Sequence, residues 1–295
     1  MKPGRQALAI VLLAFALAAA YSLWCDFSGQ GPEFAEDPYN ANLLRLENFQ
    51  FKDSLNVVLV GSSLTGRLVP RYFAPADTGS VANLGLDASG PLFGLKVVAG
   101  HTPAPRLVLI EANLLAKPPD ANESELTIAM DSLEFRLARY CPLFRTANRV
   151  STRLYAWLKA GQDAALERRI EVRPKESASF PTPAPVVTSS PGEVAPTASA
   201  VKSLLRARLQ SLRDRRARIM FFRMPPGRYS KAGSATDLAG ELAAEFHAPI
   251  LDLYQALNAR GVVLVYTDGV HLAAPSARRA AAVLAELWKE AEKQP

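Results

Sequence analysis

The sequence predicts an α/β domain, with a parallel sheet covered by helices on both faces, behind one N-terminal transmembrane helix. Three observations carry this. Short, almost wholly apolar runs recur along the chain, as expected for strands buried on both faces of a parallel sheet. Amphipathic stretches of helical period lie between them, and such alternation points to an α/β sheet. An uncharged apolar stretch occupies the N-terminus.

Taken in order, the chain begins with Lys2 and Arg5, followed by twenty uncharged residues from Gln6 to Cys25. At about 1.5 Å per residue that length crosses a hydrocarbon core of roughly 30 Å. Basic residues precede the span, and Asp26, Glu33, Glu36 and Asp37 follow it, which keeps the N-terminus in the cytoplasm and places the rest outside. Tyr21 and Trp24 suit the membrane–water interface. Two readings remain open: a retained signal anchor, favoured because the apolar run continues to Trp24, and a signal peptide cleaved near Ala20. Bulky Trp24 before Cys25 fits a lipidation site poorly. Cys141 is expected as a buried thiol rather than half of a bridge to Cys25. The polar stretch from Asp26 to Asn42, with its Gly and Pro, reads as a linker, so residues 26–50 form a linker and leading helix.

The domain proper, 51–295, opens with the strand Asn56–Val60, ended by Gly61. Further strands are expected at Val81–Leu84, Leu107–Glu111, Arg218–Arg223 and Pro249–Leu253. Helices are expected at Lys202–Ala217, Leu238–Phe246 and Ser276–Glu292, the last opened by Pro275. In the first, Leu204, Leu205, Leu209 and Leu212 form the apolar stripe while Arg206, Arg208, Arg213 and Arg215 face water. An insertion over residues 116–201 is longer than a crossover needs. Its part from about Glu123 to Glu171 reads as helical. Its part 174–200 holds six prolines with Ser, Thr and Ala, a composition that cannot offset the entropy of ordering. Long inserts of this kind serve as lids, as partner-binding elements or as tolerated insertions.

Composition narrows the chemistry. The chain has 295 residues, 49% apolar and 21% charged, near ordinary globular usage. Two cysteines make neither a disulfide framework nor a cysteine-rich zinc site, and three histidines leave little room for a multi-histidine metal centre. The net charge of +6 is modest. Much of it lies between Lys202 and Arg223, with eight basic residues against Asp214. No aromatic residue interleaves the basic residues of that helix, which argues against a base-stacking nucleic-acid surface. No nucleic acid and no cofactor are expected.

In open α/β sheets ligands bind beyond the carboxyl ends of the strands. At that edge the chain places Gly61-Ser62-Ser63-Leu64-Thr65-Gly66, Gly85-Leu86-Asp87, Glu111-Ala112-Asn113 and, after Val262–Tyr266, Thr267-Asp268-Gly269-Val270-His271-Leu272. A serine, a glycine, an asparagine and an Asp/His pair at one edge are the inventory of acyl transfer. Each has a plainer reading: Ser63 as a helix N-cap, Gly85 as a turn residue, Asn113 as a strand-end polar group, Asp268 and His271 as a capped turn. The glycine–serine loop lacks the lysine of a phosphate-binding Walker loop. His101 and His247 have no comparable acidic partner and read as structural or exposed.

The four strings resemble, in order, the four conserved blocks of the SGNH/GDSL hydrolases. Gly61-Ser62-Ser63-Leu64-Thr65 looks like the first, Asn83-Leu84-Gly85 the second, Glu111-Ala112-Asn113 the third and Asp268-Gly269-Val270-His271-Leu272 the last. The resemblance implies a flavodoxin-like three-layer α/β/α sandwich. It implies Ser63 as nucleophile, His271 as its base and Asp268 as the residue orienting the base. The backbone N–H groups of Ser63 and Gly85 and the amide of Asn113 would form the oxyanion hole. Three positions depart from the family pattern. The family usually has Asp where Ser62 stands, Gly where Glu111 stands and Asp where Leu114 stands. Glu111 therefore brings a carboxylate to the site unless it turns away or pairs with Arg67 or Arg223.

A membrane-anchored, outward-facing chain of this kind resembles the envelope-polymer acyl-transfer group, which includes alginate and cellulose acetylation proteins and the D-alanyl transfer protein of teichoic acid modification. That resemblance implies a bacterial inner-membrane protein whose periplasmic Ser63 takes an acyl group, acetyl by preference, from a multi-span membrane acyltransferase or a small ester. The group then passes to a glycan hydroxyl or to water. The insertion and the basic helix after it would be candidates for partner or polymer contact. A simple periplasmic carboxylesterase and a catalytically degenerate scaffold of a polysaccharide assembly complex are the alternatives.

Overall fold

A computed structural model describes residues 3–27, 31–76, 80–172, 198–225 and 235–293. Helix α1 (Pro3–Phe27) contains the apolar span Gly4–Cys25, mean hydropathy 2.3, whose side chains are almost all exposed. Among the described residues it is the one helix long and apolar enough to cross a membrane. Helix α2 (Pro38–Gln50) starts where Asp37 accepts a hydrogen bond from the Asn40 N–H and Pro38 occupies the first turn. It is more than a leading segment, because Leu43, Leu46 and Phe49 are buried in the core.

Strand β1 (Val57–Ser62) runs straight into a one-turn helix, α3 (Ser63–Gly66). Then follow a 3-10 stretch at Pro70–Ala76, β2 (Val81–Leu86), α4 (Pro91–Gly100) and β3 (Leu107–Glu111). The insertion supplies α5 (Ala121–Asp131), α6 (Leu133–Tyr140), short 3-10 turns at Pro142–Phe144 and Thr146–Asn148, and α7 (Val150–Val172). Asp120 and Ser132 cap the first two of these helices. The proline-rich stretch expected to be disordered lies, from 174 to 197, outside the described residues. The chain continues with α8 (Ala198–Asp214), β4 (Arg218–Arg223), α9 (Ala235–Phe246), β5 (Ile250–Asp252), α10 (Leu253–Ala259) and α11 (Ala274–Lys293).

The five strands form one parallel sheet in the order β2-β1-β3-β4-β5. Alternate residues face opposite sides. Val58, Val60, Val108, Ile110 and Phe221 join α2, α4, α8 and α9 in one core. Val57, Leu59, Leu107, Leu109, Met220 and Phe222 join α10 and α11 in the other. Helices therefore cover both faces, and all strand C-termini reach one edge.

Ahead of the Asp268–His271 turn, Tyr266 makes an isolated antiparallel bridge to Leu272. Three details differ from the sequence expectations. Leu253 begins α10 rather than ending a strand, because Asp252 caps it. In α8 the buried stripe is Val201, Leu205, Leu209 and Leu212, while Leu204 is exposed. The basic face of α8 is partly spent on α9: Lys202 pairs with Glu241 and Arg206 with Glu245. Cys25 and Cys141 form no disulfide; Cys25 is buried, whereas Cys141, expected as the buried thiol, is only half-buried.

Candidate active site

The site is built where β1 stops. Ser62 ends the strand and caps α3, its Oγ accepting from the Leu64 N–H. Ser63 is thereby the first residue of the helix, half-buried at the sheet edge. The first N–H groups of a helix have no intrahelical acceptor, and the Ser63 N–H is one of them.

The second part comes from 208 residues away. The loop before α11 folds on itself. Asp268 Oδ1 accepts from the N–H groups of Val270 and His271, at 3.0 and 2.7 Å. The Thr267 N–H donates to the His271 carbonyl, and Gly269 adopts φ +79, a conformation glycine takes without strain. In this turn Asp268 Oδ2 lies 2.5 Å from His271 Nδ1, and His271 Nε2 lies 2.9 Å from Ser63 Oγ. Burial works to raise the Asp268 pKa, but the hydrogen bonds from the His271 backbone and ring and from Val270 outweigh it and hold the carboxyl below its usual range. An ionised Asp268 can only accept, so Nδ1 carries the imidazole proton and the Nε2 lone pair faces the Ser63 hydroxyl. That is the arrangement in which imidazole can take a proton from serine.

Three of the expected site residues, Ser63, Asp268 and His271, are thus brought together. The other two are not equally free. The Gly85 N–H is already donated to Asn83 Oδ1, at 2.6 Å, inside buried strand β2. In this structure the Gly85 N–H, expected in the oxyanion hole, is engaged by a side chain of its own strand. The role of Gly85 is steric: a Cβ there would lie 2.2 Å from the Gly66 nitrogen, so only glycine lets α3 sit directly on β2. Asn83 completes that seat, donating to the carbonyls of Thr65 and Leu68. Asn113 is tied to the Met224 backbone in both directions, at 3.1 and 2.8 Å. A primary amide has two N–H donors, so one remains for a ligand.

Glu111 neither pairs with Arg67 nor with Arg223. It is fully buried beneath α3 and accepts from the Ser62 N–H, the Ser62 Oγ and the Thr65 Oγ1, the last at 2.6 Å. Burial raises its pKa against the lowering effect of those bonds. Gly61 makes the room, since a Cβ there would fall 2.5 Å from Glu111 Oε2. A carboxylate does support the nucleophile turn, but it arrives from β3 rather than from the residue before Ser63. The sequence signal was a charged residue ending an apolar strand; its partners lie 46 and 49 residues away.

His101 is buried on Phe49, and burial together with Arg215 and Arg139 lowers its pKa. His247 is exposed at the end of α9. Among the described residues, no group of three or more His, Cys, Asp or Glu is placed to hold a metal ion. The fold and site define an α/β protein carrying a Ser–His–Asp relay at the carboxyl edge of its sheet. No family model matches the chain, and no curated protein matches it.

Proposed function

We propose that this chain is a membrane-anchored serine acyl-transfer enzyme of the SGNH type, acting in the bacterial periplasm as an O-acetyltransferase or acyl esterase on envelope polysaccharide. The observation that carries this reading is the continuous hydrogen-bond line Asp268–His271–Ser63. The strand order β2-β1-β3-β4-β5 with helices on both faces supports a flavodoxin-like three-layer sandwich, the architecture in which these blocks meet at one edge. The apolar span of α1, preceded by Lys2 and Arg5, supports an inner-membrane anchor with the domain outside.

The chemistry runs in two balanced halves. Ser63 Oγ attacks the acyl carbonyl carbon as its proton passes to His271 Nε2. The oxyanion is met by the Ser63 N–H and the free Asn113 N–H. The tetrahedral adduct collapses, the leaving group takes the proton from His271, and an ester remains on Ser63. An acceptor hydroxyl then gives its proton to His271 and attacks that ester, restoring the serine. A glycan acceptor makes the protein a transferase and water makes it an esterase; acyl release to a glycan oligomer against release as free acid separates the two.

The occupied Gly85 N–H favours one competing reading, a scaffold whose relay no longer turns over. The test is fluorophosphonate labelling of the full-length protein in detergent, read by intact mass and peptide mapping. Labelling at Ser63 that Ser63→Ala and His271→Ala abolish is the expected result. A folded protein that does not label, with envelope acylation unchanged in both variants, would establish the scaffold.

A further inference from the structure

The insertion carries two apolar stripes that stand exposed among the described residues. On α6, Leu133, Leu137 and Tyr140 repeat at helical spacing and are exposed, Tyr140 at 81%. On α7, Val150, Leu154, Trp157 and Leu158 do the same, Trp157 at 71%. Leu143 and Phe144, exposed in the turn between them, extend the patch. Single exposed apolar residues are ordinary, but periodic stripes mark an interaction surface.

What covers them follows from where they are tied. The segment between the stripes is hydrogen-bonded to the end of the apolar span. Tyr21 Oη donates to the Asn148 carbonyl at 2.7 Å, and Arg153 Nη2 donates to the Cys25 carbonyl at 3.2 Å. The Arg153 guanidinium lies over the Trp24 ring and also bonds Asn148 Oδ1. Helix α1 packs on Pro142–Phe144 as well. Tyr21 lies four residues before the end of the span at Cys25, about 6 Å along the axis. If the span crosses the bilayer, Asn148 is held at headgroup depth, and the stripes on either side of it cannot be far above. The charge agrees. From Ser132 to Lys159 there are five arginines and one lysine against Glu134; Arg149 is paired with Glu134 and Lys159 with Asp163, while Arg136 and Arg139 stand exposed on α6 beside its apolar stripe. Basic residues beside aromatic and aliphatic ones are the composition of interfacial helices.

We infer that the α6–α7 surface is a membrane-docking face: its apolar stripes sink into the headgroup region of the bilayer that α1 crosses, and its arginines meet anionic headgroups. The domain then lies against the membrane rather than swinging on a tether. This rests on the anchor reading of α1, and the test separates the two.

The three tryptophans are Trp24, Trp157 and Trp288, and Trp288 is buried in the core, silent to quenchers. Full-length Trp24→Phe and Trp157→Phe variants are reconstituted in phosphatidylcholine–phosphatidylglycerol vesicles, with and without brominated acyl chains. In Trp24→Phe, Trp157 should be quenched by brominated lipid and shielded several-fold from aqueous acrylamide. In Trp157→Phe, Trp24 reports the anchor. Lipid quenching of Trp24 together with acrylamide quenching of Trp157 would overturn docking and leave the anchor standing. Shielding of Trp157 from both quenchers would overturn it in favour of a protein partner or a second copy. A Trp24 that lipid does not quench would sink both.

Discussion

At the residue scale, the relay depends on which nitrogen of His271 carries its proton. Asp268→Asn keeps an acceptor for the Val270 and His271 N–H groups but turns an amide N–H toward Nδ1. The ring must then donate from Nε2, and it ceases to be a base toward Ser63. Acyl-ester turnover should fall on the order of ten-thousandfold, without loss of folding. Because hydrogen bonds hold Asp268 below the usual carboxylate range, it stays ionised through mildly acidic pH, and wild-type activity there should not be limited by its protonation. In the proposed reaction, with Gly85 engaged, Asn113 would carry a larger share of the oxyanion. Asn113→Ala should lower kcat/KM on the order of a hundredfold, the effect of one lost donor. Glu111 acts through the turn that presents Ser63. Glu111→Ala strands the buried donors Ser62 and Thr65, each costing about 1–3 kcal/mol. Glu111→Gln, which still accepts, should recover most of the stability and part of the labelling rate at Ser63, measured by chemical denaturation and probe kinetics.

At the element scale, α3 is seated by contact rather than by propensity. It is four residues long, too short to form on its own. Asn83 binds the carbonyls of Thr65 within it and Leu68 just beyond it, and Gly85 lets its backbone touch the strand. Gly85→Ala therefore forces a methyl group into the α3 backbone. It should cost about 1–3 kcal/mol and abolish labelling at Ser63 even where the protein remains folded. On the opposite side, α11 fixes the loop that carries Asp268 and His271. Trp288 is fully buried and stacks on Phe73 with ring centroids 5.4 Å apart, and Ser276 accepts from the Val265 N–H. Trp288→Ala should cost about 3–5 kcal/mol in thermal or denaturant unfolding.

At the scale of the whole molecule, the insertion is part of the domain. Glu47 on α2 accepts from the Thr146 N–H and Oγ1, both at 2.8 Å. Burial outweighs those bonds and nearby Arg149 and Arg145, pushing its pKa up to about 7. The folded state thus holds a proton that the unfolded chain releases near 4.5. Stability is greatest below the unfolded value and falls as pH rises through about 7, by about 3 kcal/mol at most. Wild-type protein should lose stability between pH 5 and 8, and Glu47→Gln should flatten that slope, read from denaturant midpoints. Among the described residues, α1 alone is apolar and long enough to span a bilayer. If it is retained, alkaline carbonate washing should leave the protein in the membrane pellet and detergent should release it.

Local pattern alone determined the sheet and the edge. Buried parallel strands must be apolar on both faces, so runs such as LVLIE and RIMFFR declare themselves without any partner in view. The span of α1 and the self-closing Asp268–His271 turn are equally local, because length, charge and a three-residue spacing define them. Tertiary structure decided the rest, because those choices depend on contacts across the chain. Whether Leu204 or Val201 is buried is set by which neighbour α8 meets, and both satisfy a helical stripe. Gly85 reads as an available backbone donor until Asn83, its amide held by the distant Thr65 and Leu68 carbonyls, takes its N–H. Glu111 reads as a stray charge at the site until α3 closes over it and Ser62 and Thr65 supply three donors. The residue types were legible in one dimension. Their free lone pairs and N–H groups were assigned only when the strands came together, because a hydrogen bond is spent by whichever neighbour folding brings first within reach.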